Sequence, residues 1–377
     1  MAKKLLSTTY VIKHAEELFH SIRWEGGIVV CPYCGSIHVY STTDQYHYRC
    51  RDCKRKFSDR TQSLFHGCRL PMSVCMQAIH EMTVDNYVSA GVLSVKLGID
   101  RKSAWLLQLK LRRCMEQDRW LLEGIIAQDE CYIGGSLSNF HYARKWDLLN
   151  EKGIIQIPNP HGAYDENGNK IRFTKSEVYQ LSEQIKQPVY GLNDGKKIVL
   201  MATPNPIKKE YLRYIYKKHV VGDSVTVSDE SSLYEGWTKA TGAKLHTNNH
   251  HNNQYVTEHS LSSNRIENTF SWLKRGFVGR ITHCKYHQLY LNEFVFRYNT
   301  RDMTTYDRFK TLVQSTIGKH YTYKDIRNYD PYADFPKPKI RRKGKLTLDE
   351  IRETLMDGWV SVLEQDGRLY TRKDFNL

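Results

Sequence analysis

Two Cys-x-x-Cys pairs, Cys31-Pro-Tyr-Cys34 and Cys50-Arg-Asp-Cys53, constrain this chain more than any other feature of its sequence. Fifteen residues lie between Cys34 and Cys50, the spacing of a four-thiolate site in which each knuckle gives two sulfurs to one tetrahedral zinc ion. Between the knuckles Tyr46-His47-Tyr48-Arg49 alternates as a strand does, so residues 28–66 are predicted to form a zinc ribbon. His38 and His47 lie near enough to substitute as ligands, but lone histidines more often serve surface or packing, and they are left out of the set. Redox pairs or buried core thiols are the other readings, and the duplicated spacing disfavours both. A disulfide framework fits poorly, because the cysteines number nine and the opening Met-Ala-Lys-Lys-Leu-Leu-Ser-Thr-Thr-Tyr breaks its apolar run too early for a secretory signal. A cytoplasmic location is expected.

Charge narrows the partner. Lys plus Arg total 56 against 41 Asp plus Glu, a formal +15 with a pI near 9.2, which favours a polyanion, and nucleic acid first. An anionic membrane is disfavoured, since no stretch approaches the ~20 apolar residues of a span. Arg49, Arg51, Lys54, Arg55 and Lys56 crowd the second knuckle and suit phosphate contacts; a merely solvated basic face is the plain alternative. With 377 residues the chain has room for about two or three folded units.

The pattern along the chain predicts a multidomain α+β protein. Residues 1–27 form a helical lead-in, with Ala15, Leu18, Phe19 and Ile22 at helical spacing before Gly26-Gly27. Residues 70–120 are helical, and Val88 to Arg113 reads as a helix-turn-helix with its turn at Gly98-Ile99-Asp100 and Asp100 as the N-cap of the second helix. There Arg101, Lys102 and Ser103 are placed to reach DNA, while Trp105, Leu106 and Leu109 face the core; three-helix packing without DNA contact is the alternative. Residues 121–305 mix strands and helices: a strand from Gly124 ending on Asp129, a hairpin of Val189–Asn193 and Lys197–Met201 around Asp194-Gly195, a helix from Pro206 to His219, and a β-branched run from Ser224 ending on Asp229. The Asn-, Gly-, Pro- and Lys-rich stretch 136–187 reads as an insertion. Residues 306–377 hold a basic linker, Lys337–Lys345, and a C-terminal extension.

Asp129 and Asp229 sit at strand ends, where a mixed sheet can bring distant carboxylates together. Glu267 falls on a predicted helix whose offsets align Asn264, Glu267, Ser271 and Lys274 on one face and Ile266, Phe270 and Leu273 on the other. Three converging carboxylates in a basic protein suit two Mg²⁺ (or Mn²⁺) ions and phosphoryl transfer, with Lys274 and the adjoining Arg275 holding a DNA backbone. Glu130 and Glu230 directly follow the two aspartates, so the assignment stays open by one residue.

The segments Gln128-Asp129-Glu130-Cys131-Tyr132-Ile133-Gly134-Gly135, Ser228-Asp229-Glu230, Asn264–Gly276 and Leu289–Arg301 together resemble the zinc-ribbon insertion-sequence transposases over about residues 28–310. The resemblance implies an RNase H-like mixed α/β catalytic domain and a DDE-type site, Asp, Asp and a third ligand that is Glu or Asn, so Glu267 and Asn264 compete for that place. Glu267 is favoured because a charged carboxylate holds Mg²⁺ better than an amide. It further implies cleavage and strand transfer on double-stranded DNA, the element's terminal inverted repeats and a target, by a homodimer or larger assembly associated with the nucleoid. The stretch 136–187 exceeds the connection expected of the family, and the chain past Thr305 has no placed counterpart. Two rival functions are a zinc-ribbon DNA-binding regulator with an inactive RNase H-like domain and a structure-specific nuclease.

Overall fold

The computed structural model describes residues 6–84, 87–151, 167–229, 231–248, 264–277, 285–336, 362–365 and 368–371. Glu230, the basic run Lys337–Lys345 and residues 152–166 of the expected insertion lie outside these. The described residues fall into two compact units, the first drawn from 1–131, 189–202 and 216–331, the second from 132–188, 203–215 and 332–377.

The first unit begins with α1 (Thr8–Lys13) and α2 (Ala15–Arg23), whose Ala15, Leu18, Phe19 and Ile22 are all buried. The ribbon follows as three antiparallel strands, β1 (Val39–Ser41), β2 (His47–Cys50) and β3 (Lys56–Ser58). In β2 the predicted alternation holds, with Tyr48 and Cys50 buried and His47 and Arg49 exposed, as a half-covered strand requires. Asp59 ties lead-in to ribbon: its buried carboxylate accepts from His20 Nδ1 at 2.8 Å and Trp24 Nε1 at 2.7 Å. Three helices follow, α3 (Met72–Val84), α4 (Ala90–Leu97) and α5 (Arg101–Cys114). Gly98, at φ +64°, closes α4 in the left-handed conformation that glycine adopts at least cost. Asp100 then caps α5, accepting from the N–H groups of Lys102 and Ser103 at 2.9 and 3.0 Å. Leu109 is fully buried with Leu289 and Ile326, and Trp105 and Leu106 pack half-buried against them.

The sheet that carries the acidic residues starts with β4 (Ile125–Ile133), which runs on past its expected end, so Asp129 lies in the middle of the strand because Cys131 and Ile133 continue its buried face. In the second unit α6 (Tyr142–Glu151) and α7 (Lys175–Ile185) follow. The stretch read as an insertion thus carries helices with a core of their own, built on Leu137, Leu148, Leu149 and Ile185, and Thr174 and Glu177 form a reciprocal capping box at the start of α7. Next come β5 (Gln187–Asn193) and β6 (Ile198–Ala202), the expected antiparallel hairpin with Asn193 opposite Ile198. Helix α8 (Lys209–His219) starts three residues later than its expected start at Pro206. After it lie β7 (Val225–Asp229), α9 (Trp237–Thr241) and β8 (Lys244–Asn248). The five strands run in the order β6-β5-β4-β7-β8, with β7 parallel to both β4 and β8.

Four helices complete the first unit: α10 (Asn264–Phe277), α11 (His287–Asn299), α12 (Thr305–Thr316) and α13 (Tyr323–Arg327). In the second, β9 (Val362–Gln365) pairs antiparallel with β10 (Arg368–Thr371). The region past Thr305, which the resemblance leaves without a counterpart, therefore includes α12, packed on α2 and α3, and α13, packed on α5.

Edge strand β6 is closed by side-chain amides. Asn299 exchanges hydrogen bonds with both backbone groups of Ile198 at 2.8 and 2.9 Å, Gln117 does so with Leu200 at 2.9 and 2.7 Å, and Gln288 accepts from Ala202 at 2.8 Å. Both outward-facing groups of Ile198 and Leu200 and the N–H of Ala202 are thus satisfied, which blunts the edge against pairing with another chain.

Glu293, on α11, is a buried anion between two cations. It accepts from Arg112 Nε at 2.8 Å and lies 3.4 Å from Arg297 Nε, with side-chain exposures of 3% for Arg112 and 1% for Glu293. Truncating one member of such a pair leaves an uncompensated buried charge. Glu293→Ala is expected to cost about 3–5 kcal/mol of stability, read as a lowered denaturation midpoint; an unchanged midpoint would show that water reaches Arg112.

Candidate functional site

Parallel pairing of β4 with β7 sets the site. Ile125 lies opposite Val225, Ile126 opposite Thr226 and Ala127 opposite Val227. Continued two residues, this register brings Asp129 level with Asp229 on adjacent strands, and because side chains alternate, the two carboxylates share a face. One residue back, Gln128 and Ser228 are level in the same way and fully buried.

Helix α10 delivers Glu267. Its apolar face is covered, with Ile266, Phe270 and Leu273 buried, while Asn264, Glu267, Ser271 and Lys274 are exposed, as the spacing predicts. The helix rests directly on β5 at Gly191, where a Cβ would come within 2.7 Å of both Ile266 and Phe270. Beside that contact Asn193 Nδ2 donates to the Arg265 carbonyl at 3.2 Å and to Thr269 Oγ1 at 3.0 Å. Glycine and a buried amide on one strand thus fix the height and rotation of the helix.

Electrostatics shows that the three acids share one neighbourhood. Burial, with Glu130, Asp229 and Glu267 nearby, raises the Asp129 carboxyl from 3.8 to about 7, against the pull of the Glu130 N–H, which donates to Asp129 Oδ1 at 2.7 Å. Cys131, two residues along the same face of β4, is pushed by burial to about 12, a shift that the positive charge of Lys274 opposes. Glu130 is oriented differently: Tyr234 Oη donates to its Oε1 at 2.5 Å, and burial raises its pKa. Tyr190 Oη in turn donates to Gln128 Oε1. Alternation along β4 puts Asp129 and Glu130 on opposite faces; Asp229 acts on both carboxyls, whereas Glu267 contributes to the shift of Asp129. The tyrosines were not legible, since nothing local marks Tyr190 or Tyr234 as partners of β4. Among the described residues, Cys31, Cys34, Cys50 and Cys53 are the group whose ligand atoms lie close enough together to hold a metal ion, and Asp129, Asp229 and Glu267 do not approach one another that closely.

Those sulfurs all lie within 4.8 Å of one another, with Cys31 Sγ 3.6 Å from Cys53 Sγ and Cys34 Sγ 3.6 Å from Cys50 Sγ. A tetrahedron with Zn–S bonds of ~2.3 Å has edges of about 3.8 Å, so the group fits zinc. The amides of Cys53 and Asp52 point at Cys50 and push its pKa down to about 6, the thiolate form a metal requires. His38 instead lies 3.5 Å from Asp52, and His47 Nδ1 lies 3.0 Å from the Gln45 carbonyl. Around the knuckles Arg49, Arg51, Lys54, Arg55 and Lys56 are exposed; Arg51 lies over Tyr40 and Arg55 over Tyr33, at 5.6 and 4.9 Å. At the start of α5 Arg101 and Lys102 are exposed and Ser103 is half-buried, and Arg275 is exposed on α10. Among the described residues no helix is long and apolar enough to cross a membrane.

Two family models match the chain: a transposase zinc-ribbon domain over residues 13–56 and an ISXO2-like transposase domain over residues 121–299. A curated relative, described as an uncharacterized protein in transposable element ISH50 of Halobacterium salinarum, is 27% identical over 133 residues, 33% of this chain and 43% of its own length. The chain thus spans less than half of that relative. No solved structure matches. The ribbon model covers all four zinc-site cysteines and the lead-in from residue 13, and the second model spans the sheet, Asp129, Asp229 and Glu267; the chain therefore carries a transposase zinc ribbon and an ISXO2-like transposase domain, the two parts of a zinc-ribbon insertion-sequence transposase.

Proposed function

We propose that the protein cuts the ends of its own element and joins them to target DNA. The observation that carries this is the in-register pairing of β4 with β7, which sets Asp129 beside Asp229 within the field of Glu267. The strand order β6-β5-β4-β7-β8, with a hairpin on one side and parallel strands on the other, supports an RNase H-like catalytic fold. Burial first, and then the neighbouring carboxylates, lift Asp129 to about 7, so its surroundings are short of compensating positive charge, which fits a site for divalent cations.

Asp129 and Asp229 would hold Mg²⁺ or Mn²⁺, two ions in all, with Glu267 as third ligand and Asn264, one turn earlier, as the alternative. When bound, these ions supply activation of the attacking oxygen and stabilisation of the leaving one. Lys274 and Arg275 grip the strand backbone beside the acids. In the first step water attacks an end phosphodiester, a P–O bond forms and the bond to the 3′ oxygen breaks. In the second the freed 3′-hydroxyl attacks a target phosphodiester and displaces another 3′ oxygen. The ribbon's five basic residues and a helix-turn-helix made of α4 and α5, with Arg101, Lys102 and Ser103 at its reading end, bind the element ends, and two or more copies hold paired ends.

The test is incubation of the full chain with DNA carrying the flanks of its own coding region and Mg²⁺ or Mn²⁺. Joined products support the proposal. Nicks alone would favour a structure-specific nuclease, and binding without cutting a regulator.

Metal binding has a pH signature. The Asp129 carboxyl lies higher in the fold than its ordinary 3.8, so its ionisation destabilises the metal-free protein progressively as pH rises from the ordinary carboxylate range through about 7, and stability is greatest on the acid side. That penalty is offset when a divalent cation is bound. Mg²⁺ or Mn²⁺ is expected to raise the melting temperature more above about pH 7 than below it, and Asp129→Asn to flatten both dependences. A metal-induced shift in the variant as large as in wild type, with the same rise above about pH 7, would remove Asp129 from the ligand set.

A further inference from the structure

Helix α10 exposes a second stripe beside the acidic one. Arg265, Asn268, Trp272 and Arg275 follow each other by offsets of three, four and three and are all exposed. Trp272 is 51% exposed, although Ile266, Phe270 and Leu273 already supply the face on which the helix packs. Its ring lies tilted by 42° against Tyr298 of α11, with centroids 6.1 Å apart. The Arg301 guanidinium lies over Tyr298 at 4.3 Å and donates through Nη1 to the Lys196 carbonyl at 2.7 Å. Lys196 is exposed at the tip of the β5–β6 hairpin, and Arg265 reaches the same tip, its Nη1 being 2.9 Å from where a Cβ on Gly195 would stand. Asp302, 3.7 Å from Arg301, is the nearby acid that pairs with this rim.

An open indole backed by a tyrosine and edged by three cations has the chemistry of a nucleobase platform: the aromatic faces stack on a base and the cations take the phosphates on either side. A base inside a duplex is stacked on both faces, so an unpaired base is the one best able to enter between the ring and the cations. Trp272 lies five residues beyond Glu267, about 7.5 Å along the helix axis, or roughly two nucleotide steps of ~3.4 Å. We infer that Trp272 and Tyr298, rimmed by Arg265, Lys196 and Arg301, bind an unpaired nucleobase of a DNA strand whose backbone continues into the acidic site. The inference rests on the proposed function only for the ligand being DNA.

The test uses the full, zinc-loaded chain without other divalent cations, so that binding is read and cleavage does not occur. The probes are a short DNA duplex with a single-stranded extension whose first unpaired base is 2-aminopurine, and the same duplex with a blunt end. Wild type is expected to prefer the extended probe and to quench 2-aminopurine on binding. Trp272→Ala should abolish the quenching and weaken binding of the extended probe about tenfold while leaving the blunt probe unchanged; Trp272→Phe should retain most of both effects. Arg301→Ala should lower the salt dependence of extended-probe binding. Quenching and affinity in Trp272→Ala equal to wild type would overturn the platform, as would an equal loss on both probes. Failure of the transposase reading is distinguishable, because a chain that never cuts DNA still quenches if the platform exists, and one that joins DNA while Trp272→Ala quenches normally lacks it.

Discussion

Asp129→Asn should reduce strand cleavage by roughly a thousandfold or more, the scale on which single members of a catalytic constellation act, while DNA binding stays close to wild type. Asparagine keeps the size of the side chain and still accepts the Glu130 N–H that Asp129 accepts at 2.7 Å. It removes the one charge that burial and the neighbouring Glu130, Asp229 and Glu267 all oppose. The variant is therefore expected to melt at or above the wild-type temperature in the absence of metal, so loss of cleavage is separable from loss of fold. Glu130→Gln makes the contrast. Its side chain is held by Tyr234, so cleavage should fall far less. Glu267→Gln against Asn264→Ala then decides the third ligand, with the larger loss expected for Glu267→Gln. Cleavage by Asp129→Asn at the wild-type rate would sink the whole assignment.

Local patterns carried much of this site. A strand that includes Asp129 and another ending on Asp229 follow from short apolar runs, and the two faces of α10 follow from its offsets, because each is a property of consecutive residues; the end of β4 does not, since the strand runs past Asp129 to Ile133. Their meeting is not. It depends on the register of β4 against β7, a hundred residues apart in the chain, and on Gly191 letting α10 settle on β5. Long-range polar partners are equally hidden: nothing local marks Gln117, Gln288 and Asn299 as the amides that close the edge of β6, or Glu293 as the partner of Arg112 on α5. In the stretch 136–187, turn-forming composition concealed α6 and α7, whose few apolar residues form a core only when both helices are present. Tertiary context outweighs propensity in such segments.

Removing zinc is expected to unfold the ribbon and little else. Its buried core is Cys31, Tyr48, Cys50 and Phe57, with Trp24, Val29, Val39 and Cys53 partly buried around it, so two of the four fully covered side chains are themselves ligands. Strands of three or four residues cannot hold together on that little apolar surface, and structural zinc contributes about 10–16 kcal/mol in small domains of this kind. The helices have independent support, since α2 packs on α3 and α12. Cys50→Ala, or chelation of the wild type, should thus expose residues 28–58 to protease while the helices and the five-stranded sheet keep their melting transition. DNA affinity should fall with it. If all five exposed cations around the knuckles touch phosphate, the slope of log affinity against log salt becomes shallower by up to about 4.5. Zinc should restore the chelated wild type and fail to restore Cys50→Ala, whereas Cys114→Ser, at a buried cysteine outside the cluster, should keep full zinc content. One zinc per chain retained by Cys50→Ala would mean that the four sulfurs do not share an ion.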